Sequence, residues 1–572
     1  MTVPARGDAP SPIAGPDAPP LRATEPPRVE LPVYRPAQVE KTPPCQLECP
    51  NSGDIRRWIG FIAQRDKLGL TREEAYVRAW QTITDVNPFP AVLGRVCPHP
   101  CQTLCNRGTH DEPVAINAME QFLGDYAIRA GLPLVRLDDQ TRAGAPTETV
   151  GVIGAGPSGL SFAYQLARRG YRVTVYEGRP RAGGMLRYGI PDFRLPPAVL
   201  DAEIGRIVDL GAELALGVRV GVNVTFEDLR RRHDVLYVAI GAQQGRTLGI
   251  PGEDGPGVWT GAGYLERVNL GDAVDLGPRV AVVGAGNTAV DAARTARRGG
   301  AEVTMLYRRS RAEMPAIAVE VDDALEEGVT LVLQAAPVRI GRQDGALREL
   351  IATRIELGAP DASGRRRPVP VPGSEFAIPV DAVIAAVSQE QDFAGFETLL
   401  ADGRLRADGG VVEADVLAGG DALVQGIAGE AIVQGRLAAE AVHARLRGLP
   451  PNRAAAPSVG PEVLLRDFYP SQPSRQRVRL APTERLAAPT AEVAAGLDEA
   501  EFLAEAARCL SCGSCFGCQQ CAMYCTVGSF VRLQQPEPGR YFVMSLDHCE
   551  SCGKCVSVCP CGYLEVAAGG RS

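Results

Sequence analysis

The sequence predicts an α/β protein in which two doubly wound units stand between two cysteine-rich ends. Three observations predict it. Short apolar runs followed by glycine-rich turns and helices recur from Thr149 to about Leu449, the texture of parallel α/β structure. All 16 cysteines lie outside that stretch, five between Cys45 and Cys105 and eleven between Cys509 and Cys561. Residues 45–140 read as helices broken by Cys- and Pro-rich turns, as in GDIRRWIGFIAQRD and TREEAYVRAWQTITDV. A chain of 572 residues has room for three or four units of roughly 150 residues.

Composition narrows the classes. With 45% hydrophobic and 22% charged residues the chain is globular, and a net charge of −8 argues against a nucleic-acid surface. No apolar run is long enough to span a membrane. The first twenty residues lack the apolar core of an export signal, so a cytoplasmic location is expected. There, grouped cysteines mean metal before they mean disulfides. The cysteine-free middle also excludes a dithiol–disulfide relay beside a bound nucleotide.

Residues 1–44 hold 12 prolines and little apolar periodicity, which predicts a flexible arm. Residues 45–145 form the expected helical cysteine domain. PCQLECP supplies Cys45 and Cys49, and GRVCPHPCQTLC supplies Cys97, Cys101 and Cys105. Thiolates so spaced on helix–turn segments suit a cubane iron–sulfur cluster, with zinc or buried structural thiols as alternatives. Two cubanes need about eight ligands and five cysteines are present, so one cluster is expected here. The five histidines form no metal or triad grouping; His99, inside CPHPC, either tunes a cluster by hydrogen bonding or is a turn residue.

In TVGVIGAGPSGLSFAYQLARRGYRVTVYEG, Gly154, Gly156 and Gly159 lie between a strand and a helix, and Glu177 follows at the end of the next strand. Gly154 serves a tight turn, Gly156 lets a pyrophosphate approach the backbone, and Gly159 lets helix pack on strand. Glu177 is placed to accept from ribose hydroxyls. Gly184, in the following RAGGM turn, is counted with these nucleotide-binding residues. The second unit, RVAVVGAGNTAVDAARTARRGGAEVTMLYRRSRAEMPA, puts Gly284, Gly286 and Ala289 at the three small positions. Its second strand ends without an acid, on Arg308 and Arg309. An arginine pair attracts a 2′-phosphate, which favours NADP(H) over NAD(H), against the alternative of a solvated basic strand end. In VLAGGDALVQGIAGEAIVQG, Gly420 and Asp421 close a short strand. Asp421 is placed for a polyol hydroxyl and the helix start near Gly429–Ile432 for negative charge on a reduced ring. Because this piece follows the second unit, the first unit is expected to be split, as 146–275 and 380–449 around 276–379.

Residues 450–505 are Pro- and Ala-rich and read as a linker into residues 506–572. There CFGCQQCAMYC and CESCGKCVSVCP repeat C-x2-C-x2-C-x3-C, the pattern of bacterial two-cluster ferredoxins, in which the fourth cysteine of each run serves the other cluster. One cubane should use Cys515, Cys518, Cys521 and Cys559, the other Cys549, Cys552, Cys555 and Cys525. Thr526 stands where Pro usually follows, and Cys509, Cys512 and Cys561 are left over.

GAGPSGL, RYGIPDFRLP, GAGNTAVDAAR, YRRSRAEMPA and AGGDA together resemble the glutamate synthase small-subunit family, which includes part of dihydropyrimidine dehydrogenase, over roughly residues 45–448. The resemblance implies FAD in the first unit, NADP(H) in the second and hydride passing between them. Arg194 stands where that family usually has Lys, keeping positive charge near the flavin. For the N-terminal cluster it implies Cys49, Cys97 and Cys101 as ligands with Glu120 as fourth, or Cys45 or Cys105 in its place. The family often carries a further CxxC before the PCxxxCP segment; VYRPAQVEKTPP has none.

The expected whole is thus two Rossmann-like dinucleotide-binding domains, an N-terminal helical Fe–S domain and a C-terminal α+β ferredoxin-like domain. Its expected cofactors are FAD, NADP(H) or NAD(H), and three [4Fe–4S] clusters. Such a chain is an NAD(P)H:acceptor oxidoreductase, an electron-transfer subunit serving ferredoxin or a larger oxidoreductase, 2-oxoacid oxidoreductase-like or sulfite-reductase-like. A glutamate synthase small subunit with a glutamine-hydrolysing partner, or a redox-sensing binding module, are the alternatives.

Overall fold

A computed structural model describes residues 33–137, 146–361, 364–450 and 456–569. The arm expected over 1–44 lies outside these residues as far as residue 32. Val33–Gln38 is a strand that pairs antiparallel with Leu564–Gly569, so segments more than 500 residues apart share one ribbon.

Two parallel sheets form the centre. In the first, Thr149–Ile153 lies between Val235–Val238 and Arg172–Glu177, with Glu213–Leu216 beyond one and Val416–Ala418 beyond the other. In the second, Arg279–Val283 lies between Glu302–Tyr307 and Ala382–Ala385, with Thr330–Leu333 and Val258–Thr260 at the edges. Central strands such as Val280–Val283 are buried on both faces, as the apolar runs in the sequence require. The chain passes between sheets at the short pairing of Gln244–Gly245 with Gln389–Glu390. Val258–Thr260 and Ala382–Ala385 therefore belong to the second sheet, which is wider than the 276–379 span expected. Three- and four-residue strands carry too little pattern to be allotted to a sheet from sequence.

Helix Ala428–Arg447 crosses Pro157–Ala167 where a Cβ on Gly435 would lie 2.1 Å from the Ser158 carbonyl oxygen, so only glycine allows that approach. The cysteine-rich N-terminal part is helical, as expected. Pro90–Val96 and Ile116–Arg129 touch through Gly94 and Gly124, and Trp58, Tyr76 and Phe122 fill the core beside them.

Residues 456–505 depart from the linker expected. Arg485 is buried and paired with Asp323 at 3.0 Å, and Val459, Val493 and Leu497 are buried. The segment reads as a linker because its anchors are isolated residues rather than a periodic face. Helix Glu499–Ala507, capped by Asp498, returns to the N-terminal core: Phe502 stacks on Phe122 at 4.1 Å. Just after it, Arg508 places all five guanidinium N–H groups, on Gln472 O, Pro113 O, Glu505 Oε1, Asp111 Oδ1 and Glu112 O. Glu505 in turn accepts from the Ala115 and Arg475 amides. Removing one member of such a buried pair costs about 3–5 kcal/mol. Arg508→Met is therefore expected to lower the urea midpoint and to open residues 497–512 to protease; an unchanged midpoint would contradict this account.

Candidate functional site

Gly154 turns from strand to helix at φ +108°, where a Cβ would strike the Ala239 carbonyl oxygen at 2.3 Å. The cleft above it is lined by Gly154, Gly156, Glu177, Gly184, Arg194, Gly420 and Asp421, together with the start of helix Ala428–Arg447. Gly159, in the first turn of Pro157–Ala167, lies beneath, where a Cβ would stand 2.0 Å from the Gly154 carbonyl oxygen. Glu177 accepts from the Ala155 and Arg179 amides, at 2.8 and 2.9 Å, and its burial raises its pKa. Asp421 accepts from the Gly426 amide, and burial raises it as well. Arg194 does not present a free charge: it is buried against Asp291 of the second unit at 2.6 Å, closing the cleft between the two sheets.

The second cleft, of about 560 Å3, is lined by Gly284, Gly286, Arg308 and Arg309, with Ala289 buried below. The arginine pair divides its work. Arg309 is buried, donating to Asp361 and to the Arg366 carbonyl, whereas Arg308 is exposed at the cleft wall. Arg365, in the bend before strand Arg366–Pro370, also lines the cleft; a loop position far along the chain gave no sequence signal. Thr288 and Gln389 line both clefts, so the two adjoin across a shared wall.

A third, small cavity contains Cys49, Cys97, Cys101 and Glu120. It adjoins the first cleft: Val96 and Pro98 line the cleft while Cys97 between them lines the cavity, and Ala428 and Gly429 divide in the same way. Burial and the nearby Glu120 carboxylate push Cys97 up to about 12, and burial raises Cys49. Burial lifts Glu120 to about 7, although Asn87 donates to it at 2.9 Å. The His99 amide donates to the Cys97 sulfur at 3.4 Å from a left-handed turn, φ +47°, so the backbone rather than the ring serves the thiol. Burial disfavours the charged forms of these four donors, a cost that a cationic centre bound among them relieves.

Cys45 and Cys105 do not line this cavity; Cys45 has Cys105, Cys512, Cys509 and Cys101 beside it. The signal for Cys509 and Cys512 was visible in sequence as an unallotted CxxC. A fourth cavity holds Cys515, Cys518, Cys521 and Cys559, while Cys525 adjoins Cys549, Cys552 and Cys555. Among the described residues no three of His, Cys, Asp or Glu are gathered as tightly as the ligand shell of a single ion, such as tetrahedral zinc, demands.

Residues 148–427 match the model for pyridine nucleotide-disulphide oxidoreductases, and residues 38–132 that for dihydropyrimidine dehydrogenase domain II with its 4Fe-4S cluster. The NADP(+)-dependent formate dehydrogenase subunit beta of Moorella thermoacetica is 38% identical over 82% of this chain and 70% of that protein. The glutamate synthase [NADPH] small chain of Azospirillum brasilense is 35% identical over 70% of this chain and 86% of that one. The chain belongs to the glutamate synthase small-chain family. Members of this family are FAD- and NADP(H)-binding iron–sulfur oxidoreductases, and so is this chain. It is also 39% identical to the NADPH-Fe(3+) oxidoreductase subunit beta of Geobacter sulfurreducens, spanning about half, 53%, of that protein's length. The part matching the disulphide oxidoreductases contains no cysteine, so the family's nucleotide sites are present without its dithiol. None of the described helices is long and apolar enough to cross a membrane.

Glu203 was not singled out from sequence, having no motif around it. Fully buried, it accepts from the Ala91 and Val92 amides and so fastens the helix leading to Cys97 onto the first sheet's unit. Burial raises it to about 8, against the pull of those amides, Arg206 and Arg95. The folded state therefore holds this proton more tightly than the unfolded chain does, and stability falls as pH rises from about 4.5 to about 8. Glu203→Gln is expected to flatten the urea midpoint across that window; a slope equal to wild type would contradict it.

Proposed function

We propose that this chain is the NADP(H)-handling subunit of a larger oxidoreductase complex, passing electrons from FAD through [4Fe–4S] clusters to a partner subunit or ferredoxin. The observation that carries this reading is the continuity of the sites: Thr288 and Gln389 join the two nucleotide clefts, and the Val96–Cys97–Pro98 wall joins the first cleft to the cysteine cavity. When bound, FAD exchanges a hydride with the nicotinamide and single electrons with the clusters.

The residues bind, orient and insulate. Glu177 and Asp421 take the hydroxyls of FAD, and the N-terminus of Ala428–Arg447 faces its ring with a positive dipole end. Gly284 and Gly286 admit the NADP(H) pyrophosphate, and Arg308 with Arg365 faces the 2′-phosphate. Cys49, Cys97, Cys101 and Glu120 hold the cluster nearest the flavin. The C-terminal region is ferredoxin-like, with Cys515, Cys518, Cys521 and Cys559 on one cubane and Cys549, Cys552, Cys555 and Cys525 on the other. It is the exit toward the partner. Subunit names among the relatives support a partner that performs the substrate chemistry.

Arg308→Ala should weaken NADPH and leave NADH nearly unchanged. A charge-assisted hydrogen bond is worth about 1.5–3 kcal/mol, roughly tenfold to a hundredfold in KM; an equal loss for both nucleotides would remove the 2′-phosphate assignment. Anaerobic mixing with NADPH should bleach the flavin and then develop the EPR signals of reduced cubanes. Cys97→Ser should keep the bleaching and slow the signals. Signals at the wild-type rate would place the exit elsewhere.

A further inference from the structure

The four cysteines outside the expected N-terminal and C-terminal ligand sets that the structure gathers are not scattered. Cys45 lies in the first turn of Pro44–Glu48, and Cys105 follows Cys101 by four residues. Cys45, Cys105 and Cys509 pack against the same apolar core, which Phe502 of the returning helix completes. Cys512, three residues further on, is fixed by Arg56, whose guanidinium donates to the Cys512 carbonyl at 2.7 Å and to the Lys41 carbonyl at 2.6 Å.

We propose that Cys45, Cys105, Cys509 and Cys512 hold a further [4Fe–4S] cluster, assembled from the two ends of the chain. The donor pair that VYRPAQVEKTPP lacks is supplied by the CxxC at 509–512. All four thiols are free. Cys45 has Cys105, Cys512 and Cys509 beside it, and its burial raises its thiol. Cys509 and Cys512 are lifted by burial to about 11 and about 12. The Arg56 and Arg107 charges stand by Cys509. Four thiols gathered against one buried core, with guanidinium groups beside them, suit a net-anionic cubane better than they suit idle thiols.

The placement also gives the site a task. Its donors alternate along the chain with those of the cavity beside the flavin cleft, Cys45 with Cys49 and Cys105 with Cys101, so the two sets lie side by side. Cys512 is three residues from Cys515 of the C-terminal set. The cluster is thus the link between the flavin-proximal site and the exit.

Iron analysis of the anaerobically reconstituted full-length protein tests this. About 16 iron per FAD are expected, four for each cubane. Cys509→Ser/Cys512→Ser should hold about 12 with FAD content unchanged, and Mössbauer spectra should lose one cubane's share. A wild-type ratio of about 12 overturns the proposal, as does a double variant that keeps all the wild-type iron. One zinc per chain that disappears in the variant overturns it too. If the variant also loses FAD, the wild-type ratio alone decides. The proposed function fails by a different result, an absence of flavin bleaching by NADPH, which leaves the iron ratio untouched.

Discussion

The buried Glu505–Arg508 pair is the constraint on which the arrangement of redox sites depends. It sits where residues 111–115, 472–475 and 505–508 meet, and every charged hydrogen it buries has a named acceptor. Glu505 takes the Ala115 amide just before helix Ile116–Arg129, the helix that carries Glu120. Arg107 adds a second tie, donating to the Arg508 carbonyl at 2.6 Å. Position at both cysteine-rich ends is therefore set by one satisfied ionic network together with the apolar packing of Phe502 on Phe122 and Tyr76. Breaking it anywhere strands a charge away from water.

The two nucleotide units are held differently. Their glycine turns repeat one geometry, strand to tight turn to helix, and the Gly284 turn, like that of Gly154, leaves no room for a side chain against the neighbouring backbone. What joins them is the Arg194–Asp291 pair and the shared cleft wall at Thr288 and Gln389. Close approach matters for hydride exchange, which needs two rings in contact, whereas single electrons tolerate a protein layer. The two nucleotide clefts share the side chains of Thr288 and Gln389, whereas a backbone turn through Val96, Cys97 and Pro98 stands in front of the cysteine cavity.

The sheets, helices and glycine turns were legible in the sequence because their patterns are local and repeated. The line of Gly154, Gly156, Glu177 and Asp421 around one cleft follows directly from that reading. Three things were not legible. Strands as short as Val258–Thr260 have no period to read. Arg309 looks equal to Arg308 until Asp361, more than fifty residues on, is seen to engage it. Residues 456–505 read as a linker because buried contacts made by single arginines leave no periodic trace. The common cause is that chemistry set by distant partners is invisible to spacing.

The antiparallel ribbon of Val33–Gln38 with Leu564–Gly569 bears on biosynthesis. During translation Val33–Gln38 emerges hundreds of residues before the strand that pairs with it, and the helices that follow emerge long before Phe502 reaches their core. Folding domain by domain from the N-terminus is the usual order on the ribosome, yet here the first unit to appear is among the last to close. The nucleotide-binding sheets, with local pairings, can form while that unit waits. The two segments therefore act as a clasp: a polypeptide that stops short of Leu564–Gly569 lacks the partner of Val33–Gln38, and the helical unit beside it stays unsealed.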